Sequence, residues 1–288
     1  MSGAKKIMAC VDGSALSEAV CDFGAFFSKT LHLPLELLNV VEHLHVSAQT
    51  DLSGNIGLGA RDDLLESLID EEQGESKKAI IKGKTMLLNL KERALTQEAH
   101  EVKIVQKHGE LYETIEPHKE EIRLLILGLR GRDHEGNVHS IGSQVEELIR
   151  TLNVPILLVN EAFHEPKKIL IAYDGSPSSK KALEIVTQEP LLGEVERHLI
   201  HVGKNREASL ALLREACALF SKPHIHTVQS ISLQGGEAVE SLLSYQDKNE
   251  IDLIAMGAFS HSRIRDALFG SFTSKMIFKT TKPLLLLR

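Results

Sequence analysis

The chain has 288 residues, of which 42% are hydrophobic, 4% aromatic and 25% charged. This length predicts two domains, and the composition excludes a collagen, a coiled coil or a disordered chain as a description of the whole. With a net charge of −7 and 3 cysteines in no CxxC pair, the chain lacks both the basic surface of a nucleic-acid-binding protein and the pattern of a disulfide or zinc-ribbon framework.

The apolar runs are too short for a transmembrane helix. The run at 283–287 has five residues, whereas a membrane span needs about 20. The N-terminal sequence MSGAKKIMACVDGS contains no apolar stretch of signal-peptide length, and Asp12 interrupts it. We therefore expect a cytoplasmic protein that binds neither membranes nor nucleic acids.

The chain contains one unit twice. Residues 5–14 read KKIMACVDGS, and residues 167–176 read KKILIAYDGS. Three further matches follow in the same order: HGELYETI (108–115) with GGEAVESL (235–242), LLILGLRG (124–131) with DLIAMGAFS (252–260), and NVPILLVN (153–160) with TKPLLLLR (281–288). Internal repetition of this kind indicates a duplicated structural unit. We expect two domains, at 1–160 with an insertion at about 44–76, and at 166–288.

Each copy alternates apolar runs with amphipathic stretches. In the first copy the pattern predicts strands at 6–11, 35–41, 101–107, 123–128 and 155–159, and helices at 15–31, 63–95, 110–121 and 143–152. In the second it predicts strands at 168–173, 195–202, 225–231, 252–257 and 283–287, and helices at 177–188, 206–221, 236–247 and 271–280. The strands are continuous aliphatic runs, typical of a parallel sheet covered on both faces. The predicted fold is therefore α/β, with two tandem doubly wound five-stranded parallel-sheet domains.

The insertion at about 44–76 combines glycines with negative charge. Residues 51–76 hold eight acidic residues and one basic residue, and three glycines fall within six positions. This composition predicts a mobile loop that leads into an extended second helix. Its apolar residues are Leu52, Ile56 and Leu58. They predict packing as a lid over the first crevice or as a dimer contact. The alternative is a disordered acidic loop.

The repeated motifs fall where an open parallel sheet binds ligands, at the carboxyl ends of its strands. Asp12 and Asp174 each begin an Asp-Gly-Ser sequence after the first strand of a copy. Glycines after the fourth strand would let backbone N–H groups approach phosphate oxygens, and a helix N-terminus would add further donors. The Asp could hold a ribose hydroxyl or an adenine amine, while Ser14 and Ser176 are placed to cap a helix. The alternative is that each glycine only makes a tight strand-to-helix turn.

These residues resemble the universal stress protein family in its tandem-domain form. The family motif is G-x2-G, nine residues and then G-[ST], with an Asp near the end of the first strand. The resemblance implies strand order 3-2-1-4-5 in an adenine nucleotide alpha hydrolase-like fold, ATP as a frequent ligand, alone or with Mg²⁺, and a role in stress survival. By position it implies nucleotide-binding residues in both copies: Asp12, Val40, Gly128, Gly131, Gly142 and Ser143, and Asp174, Val202, Gly257, Ser260, Gly270 and Ser271.

Both copies depart from the family motif. In the first, ten residues separate Gly131 from Gly142. In the second the interval before Gly270 has nine residues, but Ser260 replaces a glycine. Because the second loop also offers cationic side chains to an anion, we expect the second copy to bind nucleotide more tightly; these are His261, Arg263 and Arg265.

No residue is assigned a catalytic or metal-ligating role. The sequence contains neither GxxxxGK[ST] nor GxSxG, the motifs of phosphate-loop enzymes and of serine hydrolases. The sequence has two closely spaced histidine pairs, His43 with His45 and His224 with His226. Neither pair has a third metal ligand at suitable spacing. We expect a regulatory nucleotide-binding protein with at most slow ATP hydrolysis, and the alternatives are a nucleotide-independent interaction module and a slow nucleotide hydrolase.

The last strand of each copy predicts how the two copies meet. The segments PILLV (155–159) and PLLLL (283–287) would be exposed apolar edges if each domain stood alone. Single-domain members of the family pair such strands between subunits. We therefore expect the two segments to pair with one another inside the chain around a pseudo-twofold axis, and the whole chain to form a homodimer.

Overall fold

Strands and helices alternate along the chain, as the apolar runs predict. A computed structural model describes residues 5–41, 58–129, 142–188, 195–220, 228–258 and 271–288, and for 58–73, 75–76, 188 and 271 it describes the backbone alone. The first half contains β1 (Lys6–Cys10), α1 (Ser17–Leu31), β2 (Leu35–Val41), α2 (Leu58–Thr96), β3 (Val102–His108), α3 (Leu111–Ile115), β4 (Ile122–Gly128), α4 (Ser143–Thr151) and β5 (Ile156–Val159). The second half contains β6 (Lys168–Ala172), α5 (Pro177–Gln188), β7 (Glu196–Gly203), α6 (Arg206–Cys217), β8 (Val228–Gln234), α7 (Ala238–Asn249), β9 (Leu253–Gly257), α8 (Ser271–Lys279) and β10 (Leu284–Leu287).

The described strands form one ten-stranded sheet. Its order is β3-β2-β1-β4-β5-β10-β9-β6-β7-β8, so each half has the doubly wound order 3-2-1-4-5. Within each half every described neighbour is parallel. Adjacent parallel strands need long crossovers, and the helices supply them. The predicted fold class, two tandem doubly wound units, is confirmed.

The two halves meet where β5 and β10 pair in antiparallel fashion. Leu158 lies opposite Leu284, Leu157 opposite Leu285, and Ile156 opposite Leu286. All four residues of each strand are buried, so the pairing removes two apolar edges from water. The predicted pairing of the last strands is thereby confirmed.

Two apolar clusters cover the faces of the sheet. One lies under α1 and α2 and their counterparts in the second half, and includes Phe23, Phe27 and Leu183. The other lies under α4 and its counterpart α8, and includes Leu148 and Met276. Since both clusters contain residues of both halves, the core is continuous across the β5–β10 pairing.

Some of the predicted elements have different bounds in the structure. The helix expected at 110–121 stops at Ile115 and continues as a 3₁₀ turn, Glu116–Glu121, because Pro117 removes a backbone donor and clashes with the preceding turn. The helix expected at 236–247 begins later, at Ala238, because Gly235 and Gly236 have positive φ. The strand expected at 225–231 extends to Gln234, and residues 225–227 lie outside the described part of the chain.

The long helix α2 begins earlier than the sequence pattern predicts. The sequence predicts helix from residue 63, whereas α2 begins at Leu58 and runs for 39 residues. Residues 42–57, the remainder of the predicted loop, lie outside the described part of the chain. The expected long second helix is confirmed, whereas the predicted lid lies partly among residues that the structure does not describe.

Candidate functional site

In the first half, the Asp-Gly-Ser sequence forms a turn that is closed by its own side chains. Asp12 Oδ1 accepts hydrogen bonds from Ser14 N at 2.9 Å and from Ser17 Oγ at 3.2 Å. Gly13 has φ 80°, a conformation that favours glycine, and its N–H donates to Ser17 Oγ at 2.9 Å. The prediction that Ser14 caps α1 is wrong, because the cap position is Leu16 and Ser17 binds the turn.

In the second half the Asp-Gly-Ser turn has the same form, and its serine caps the following helix α5. Asp174 Oδ1 accepts from Ser176 N at 2.9 Å, and Ser176 Oγ accepts from Ser179 N at 3.3 Å. The predicted cap by Ser176 is therefore confirmed. Gly175 has φ 77°, and Leu212 Cδ1 lies 2.9 Å from where a Cβ would stand, so this position requires glycine.

Hydrogen bonds keep the Asp174 carboxyl ionised. Burial on its own would raise the pKa of Asp174, but the hydrogen bonds from Ser176 and Ser179 outweigh it, and the pKa lies below its usual value. A carboxylate at this strand end is a strong acceptor for the N–H or O–H groups of a ligand.

The strands beside these turns carry a second matched pair of polar residues. Asn39 Nδ2 donates to Val11 O at 2.8 Å, and His201 Nδ1 lies 2.9 Å from Tyr173 O. Each bond holds the carbonyl of the residue just before a strand-end Asp. Asn39 and His201 could not be predicted as a pair from the sequence, because their match lies in the register between strands. Asn39 precedes Val40 as His201 precedes Val202.

The two predicted valines lie on the opposite face from these polar residues. Val40 and Val202 are half-buried, and each packs against the core cluster that underlies α4 and α8. They therefore offer apolar surface near the strand ends on the face that carries those helices. A flat apolar group of a ligand, such as a base, could rest on such a surface.

The end of β9 is packed too closely for any side chain. A Cβ on Gly257 would lie 2.5 Å from the carbonyl carbon and oxygen of Ser178 and 2.7 Å from Ser179 N. Gly257 therefore lets the first turn of α5 rest against the strand end. Close packing of α5 on the strand end therefore requires glycine at this position, and the same packing brings the Asp174 turn to this edge.

In the first half, the corresponding strand end leads toward the N-terminus of α4. Leu129 N donates to Val159 O at 2.8 Å just after Gly128, and Gly142 occupies the cap position of α4. Gly142 has no side chain with which to cap, and the exposed Ser143 is the first helical residue. This helix end therefore presents first-turn N–H groups of the kind that bind anions.

Several predicted site residues lie outside the described residues. They are Gly131, Ser260 and Gly270, together with the cationic side chains His261, Arg263 and Arg265. Ser271 begins α8, with its backbone alone described. The structure thus brings together the Asp turns, the valines and the glycines at the ends of β4 and β9, one set at the carboxyl edge of each half.

One thiol lies beneath the edge of the first half. Cys10 ends β1 two residues before Asp12, and burial, followed by the charges of Glu36 and Asp12, raises its pKa far above the usual value. A thiol with a raised pKa is a poor nucleophile at neutral pH. Cys10 is therefore suited to packing beneath the edge and unsuited to nucleophilic chemistry.

In the described ranges, no three His, Cys, Asp or Glu residues lie close enough together to hold a metal ion. No helix in those ranges is both long and apolar enough to cross a membrane.

The fold and its two edges define a tandem, doubly wound α/β protein with a strand-end Asp turn in each half. The family model described as "Universal stress protein family" matches residues 3–160 and 165–288. The chain therefore belongs to the universal stress protein family, and the resemblance found in the sequence is confirmed.

One relative of similar size supports this assignment, and two solved structures share the fold. The universal stress protein Slr1230 of Synechocystis sp. is 32% identical over 286 residues, which cover 99% of this chain and 100% of the relative. The crystal structure of a universal stress protein from Archaeoglobus fulgidus has a TM-score of 0.71 at 18% identity and covers 99% of this chain and 97% of its own. A functionally unknown protein, PA1789 from Pseudomonas aeruginosa, has a TM-score of 0.59 at 17% identity, with 99% and 93% covered. The last two likenesses concern the fold alone.

Proposed function

We propose that the protein binds ATP or a related adenine nucleotide at the carboxyl edge of its sheet and acts as a regulatory protein in a stress response. The nucleotide-binding units are residues 1–160 and 166–288. The proposed ligand residues are those that the family motif marks, and in the described part of the chain they are Asp12, Val40, Gly128, Gly142 and Ser143 in the first half, and Asp174, Val202, Gly257 and Ser271 in the second.

One observation carries this proposal: two features meet at the same carboxyl edge of the sheet. They are the Asp-Gly-Ser turn after the first strand of a half and the closely packed end of the fourth strand of that half. Asp174 and Gly257 are joined through the first turn of α5, whose Ser178 backbone touches Gly257. Such an edge gives a carboxylate for the base or ribose and backbone N–H groups for phosphate. The half-buried Val202 supplies apolar surface on the same face as α8.

The second half is proposed as the tighter site. Its motif keeps the nine-residue interval before Gly270, and the loop contains two arginines, Arg263 and Arg265. Its carboxylate, Asp174, has a lowered pKa and is therefore charged throughout the neutral range. A lasting negative charge favours donors such as an adenine amine or ribose hydroxyls.

Catalysis is not part of this proposal. In the described ranges, the strand edges present Asp turns, serines and backbone groups, and these provide binding without a paired acid and base at the same edge. Hydrolysis of a bound nucleotide would then be slow in comparison with the turnover of about 1–1000 s⁻¹ that is typical of enzymes.

The decisive experiment is a titration of the full chain with ATP, using Asp174→Asn and Asp12→Asn as a matched pair. Asparagine retains an oxygen for the turn while removing the charge. We expect Asp174→Asn to weaken binding by about 10-fold or more, as is usual for a lost charged hydrogen bond, and Asp12→Asn to change it less. A larger effect of Asp12→Asn would mean that the halves are reversed.

Mass spectrometry of the purified protein tests the class of ligand directly. A co-purified adenine nucleotide would support the proposal. Protein that carries no nucleotide and takes up none at millimolar ATP would instead favour the interaction module, because its edges would then be structural turns alone.

A further inference from the structure

Hydrogen bonds connect the helix α2 to the carboxyl edge of the first half. Asn39 Nδ2 donates to Val11 O at 2.8 Å, and Asn39 Oδ1 accepts from Gln106 Nε2 at 3.1 Å. Gln106 Nε2 also donates to Ile80 O of α2 at 3.1 Å. Since Val11 directly precedes Asp12, these contacts lead from a carbonyl of the helix, through two side chains, to the turn of the first edge.

Gln106 decides how the amide of Asn39 is oriented. The Asn39 side chain is buried, with 5% of the residue exposed, and Gln106 is half-buried. The NH₂ group of Gln106 has two N–H donors, one for Asn39 Oδ1 and one for Ile80 O. Because a donor faces Oδ1, the NH₂ group of Asn39 must face Val11. Loss of that donor would leave a buried oxygen without its partner, which is unfavourable.

The helix reaches this pair of amides because it has a glycine at the contact. Gly83 is buried, and a Cβ there would collide with both Asn39 Oδ1 and Gln106 Nε2. A side chain at this position would therefore require a shift of the helix or of the two amides. The positions of Asn39 and Gln106 consequently depend on the position of α2 against the sheet.

Farther along, α2 is fixed to α1, the helix that follows the Asp12 turn. Arg93 donates to both carboxylate oxygens of Asp22, and Cys21 Sγ donates to Leu90 O at 3.3 Å. The strand before the turn and the helix after it are thus both attached to α2. Hydrogen-bond networks and rigid helices of this kind are the elements that carry coupling between parts of a protein.

The second half has the contact at the strand end without the connection to a helix. His201 Nδ1 lies 2.9 Å from Tyr173 O, and Ser232 takes the position opposite His201 that Gln106 takes opposite Asn39. Ser232 Oγ accepts from Gln234 Nε2 at 2.9 Å. In the described ranges, no hydrogen bond joins His201 or Ser232 to α6. The matched edge of the second half therefore lacks this link.

We propose that Gln106 is a positioning residue, through which the position of α2 sets the geometry of the Asp12 turn and with it the nucleotide affinity of the first edge. The effect on affinity rests on the proposed function, whereas the positioning is a property of the unliganded chain. The second edge binds independently of α2. The affinity of the first edge is thus regulated through a helix, and the second edge responds to ligand concentration alone.

Hydrogen exchange in the unliganded full chain, followed by NMR, tests the positioning. Gln106→Met keeps the length of the side chain and removes both donors. We expect the turn amides of Gly13 and Ser14 to exchange at least about threefold faster in this variant, because their hydrogen bonds open more often. Unchanged rates at these amides would overturn the proposal.

The second half supplies the controls for that measurement. The amides of Gly175 and Ser176 in the Gln106→Met protein should keep their wild-type rates, and Ser232→Ala should leave the rates of both turns unchanged. Equal acceleration in both turns would show a general loss of stability, and the proposal would be wrong.

A change made on the helix alone tests the direction of the effect. Gly83→Ala adds a methyl group against the two amides and should accelerate exchange at Gly13 and Ser14 as Gln106→Met does. Gly74→Ala is the matched control, because a Cβ there meets nothing within 4 Å, and the turn should then exchange at the wild-type rate. Wild-type exchange in Gly83→Ala would mean that α2 does not set the turn.

Titration with ATP separates the regulation from the proposed function. In Asp174→Asn, which reports the first edge, Gln106→Met should weaken binding about three- to tenfold, as expected for lost neutral hydrogen bonds. In Asp12→Asn, which reports the second edge, it should change nothing. Equal effects on both edges, or none on either, would overturn the regulation. A wild-type chain that binds no ATP would refute the proposed function, and the exchange rates would still decide the positioning.

Discussion

Asn160 and Arg288 occupy equivalent positions in the two halves, and the side chain of each donates hydrogen bonds to backbone carbonyls at the end of a helix in the other half. Each stands one residue after the last strand of its half. Asn160 Nδ2 donates to Thr280 O at 2.9 Å and Lys282 O at 3.0 Å, just after α8. The Arg288 guanidinium donates to Leu152 O at 2.6 Å and to Ile149 O at the end of α4. Helix ends have carbonyls without partners, and this exchange satisfies them.

The first prediction follows from this exchange. Arg288→Ala should lower the free energy of unfolding by about 2 kcal/mol, because several carbonyls lose a charged donor, and Asn160→Ala should lower it by about 1 kcal/mol. Urea denaturation of the full chain measures both. Arg206→Ala, at an exposed position at the start of α6, serves as the control and should stay within about 0.5 kcal/mol of the wild type. An equally small effect at Arg288 would show that the exchange contributes nothing.

The second prediction compares two glycines of α2. A Cβ on Gly74 would meet nothing within 4 Å, whereas one on Gly83 would collide with Asn39 Oδ1 and Gln106 Nε2. Gly74→Ala should therefore stabilise the protein by up to about 1 kcal/mol through helix propensity. Gly83→Ala should destabilise it by about 1–3 kcal/mol through overpacking. Thermal unfolding with circular dichroism would show shifts of opposite sign, and shifts of the same sign would contradict the packing at Gly83.

The third prediction concerns the ion pair that attaches α2 to α1. Arg93 Nε and Nη2 donate to the two carboxylate oxygens of Asp22 at 2.6 and 2.7 Å, and the Asp22 side chain is 8% exposed. Arg93→Ala should cost about 2–3 kcal/mol, since it leaves a buried carboxylate without its main partner. Chemical denaturation measures the loss.

The control for that pair is an exposed one. Lys103→Ala removes a contact of 2.9 Å with Glu101, in which both side chains are more than half exposed. Exposed pairs contribute about 0–1 kcal/mol, so this change should be barely measurable. A loss at Lys103 as large as that at Arg93 would show that burial of Asp22 does not decide the energy.

The fourth prediction uses the pKa of Cys21, which burial raises to about 12. In the unfolded chain a thiol ionises near pH 8.5, so the unfolded state releases its proton first as the pH rises. The stability contributed by the neutral buried thiol is complete below that pH and is lost progressively up to about pH 12. Between pH 9 and 11, Cys21→Ala should therefore lose less stability than the wild type. Parallel curves for the two proteins would contradict the raised pKa.

The strands and helices could be predicted from the sequence because they depend on local pattern. Parallel strands buried on both faces are continuous aliphatic runs, which is why segments such as 123–128 and 283–287 were found almost to the residue. Where the pattern failed, a single residue type decided the outcome, as Pro117 did by breaking the helix predicted at 110–121.

The candidate site was predicted only in outline. The Asp-Gly-Ser turns are local, and their repetition marked them. The hydrogen bonds of Asn39 and His201 depend on which carbonyl of a neighbouring strand each side chain faces. This register cannot be read from the sequence of one strand. The exchange between Asn160 and Arg288 spans more than 120 residues on each side and depends on how the halves dock.

The antiparallel pairing of β5 with β10 has a directional consequence for anything that approaches the molecule. The described strands of the second half run opposite to those of the first. The carboxyl ends of the strands in the two halves therefore lie at opposite edges of the sheet. Ligands that bind at the two edges would therefore approach the sheet from opposite directions.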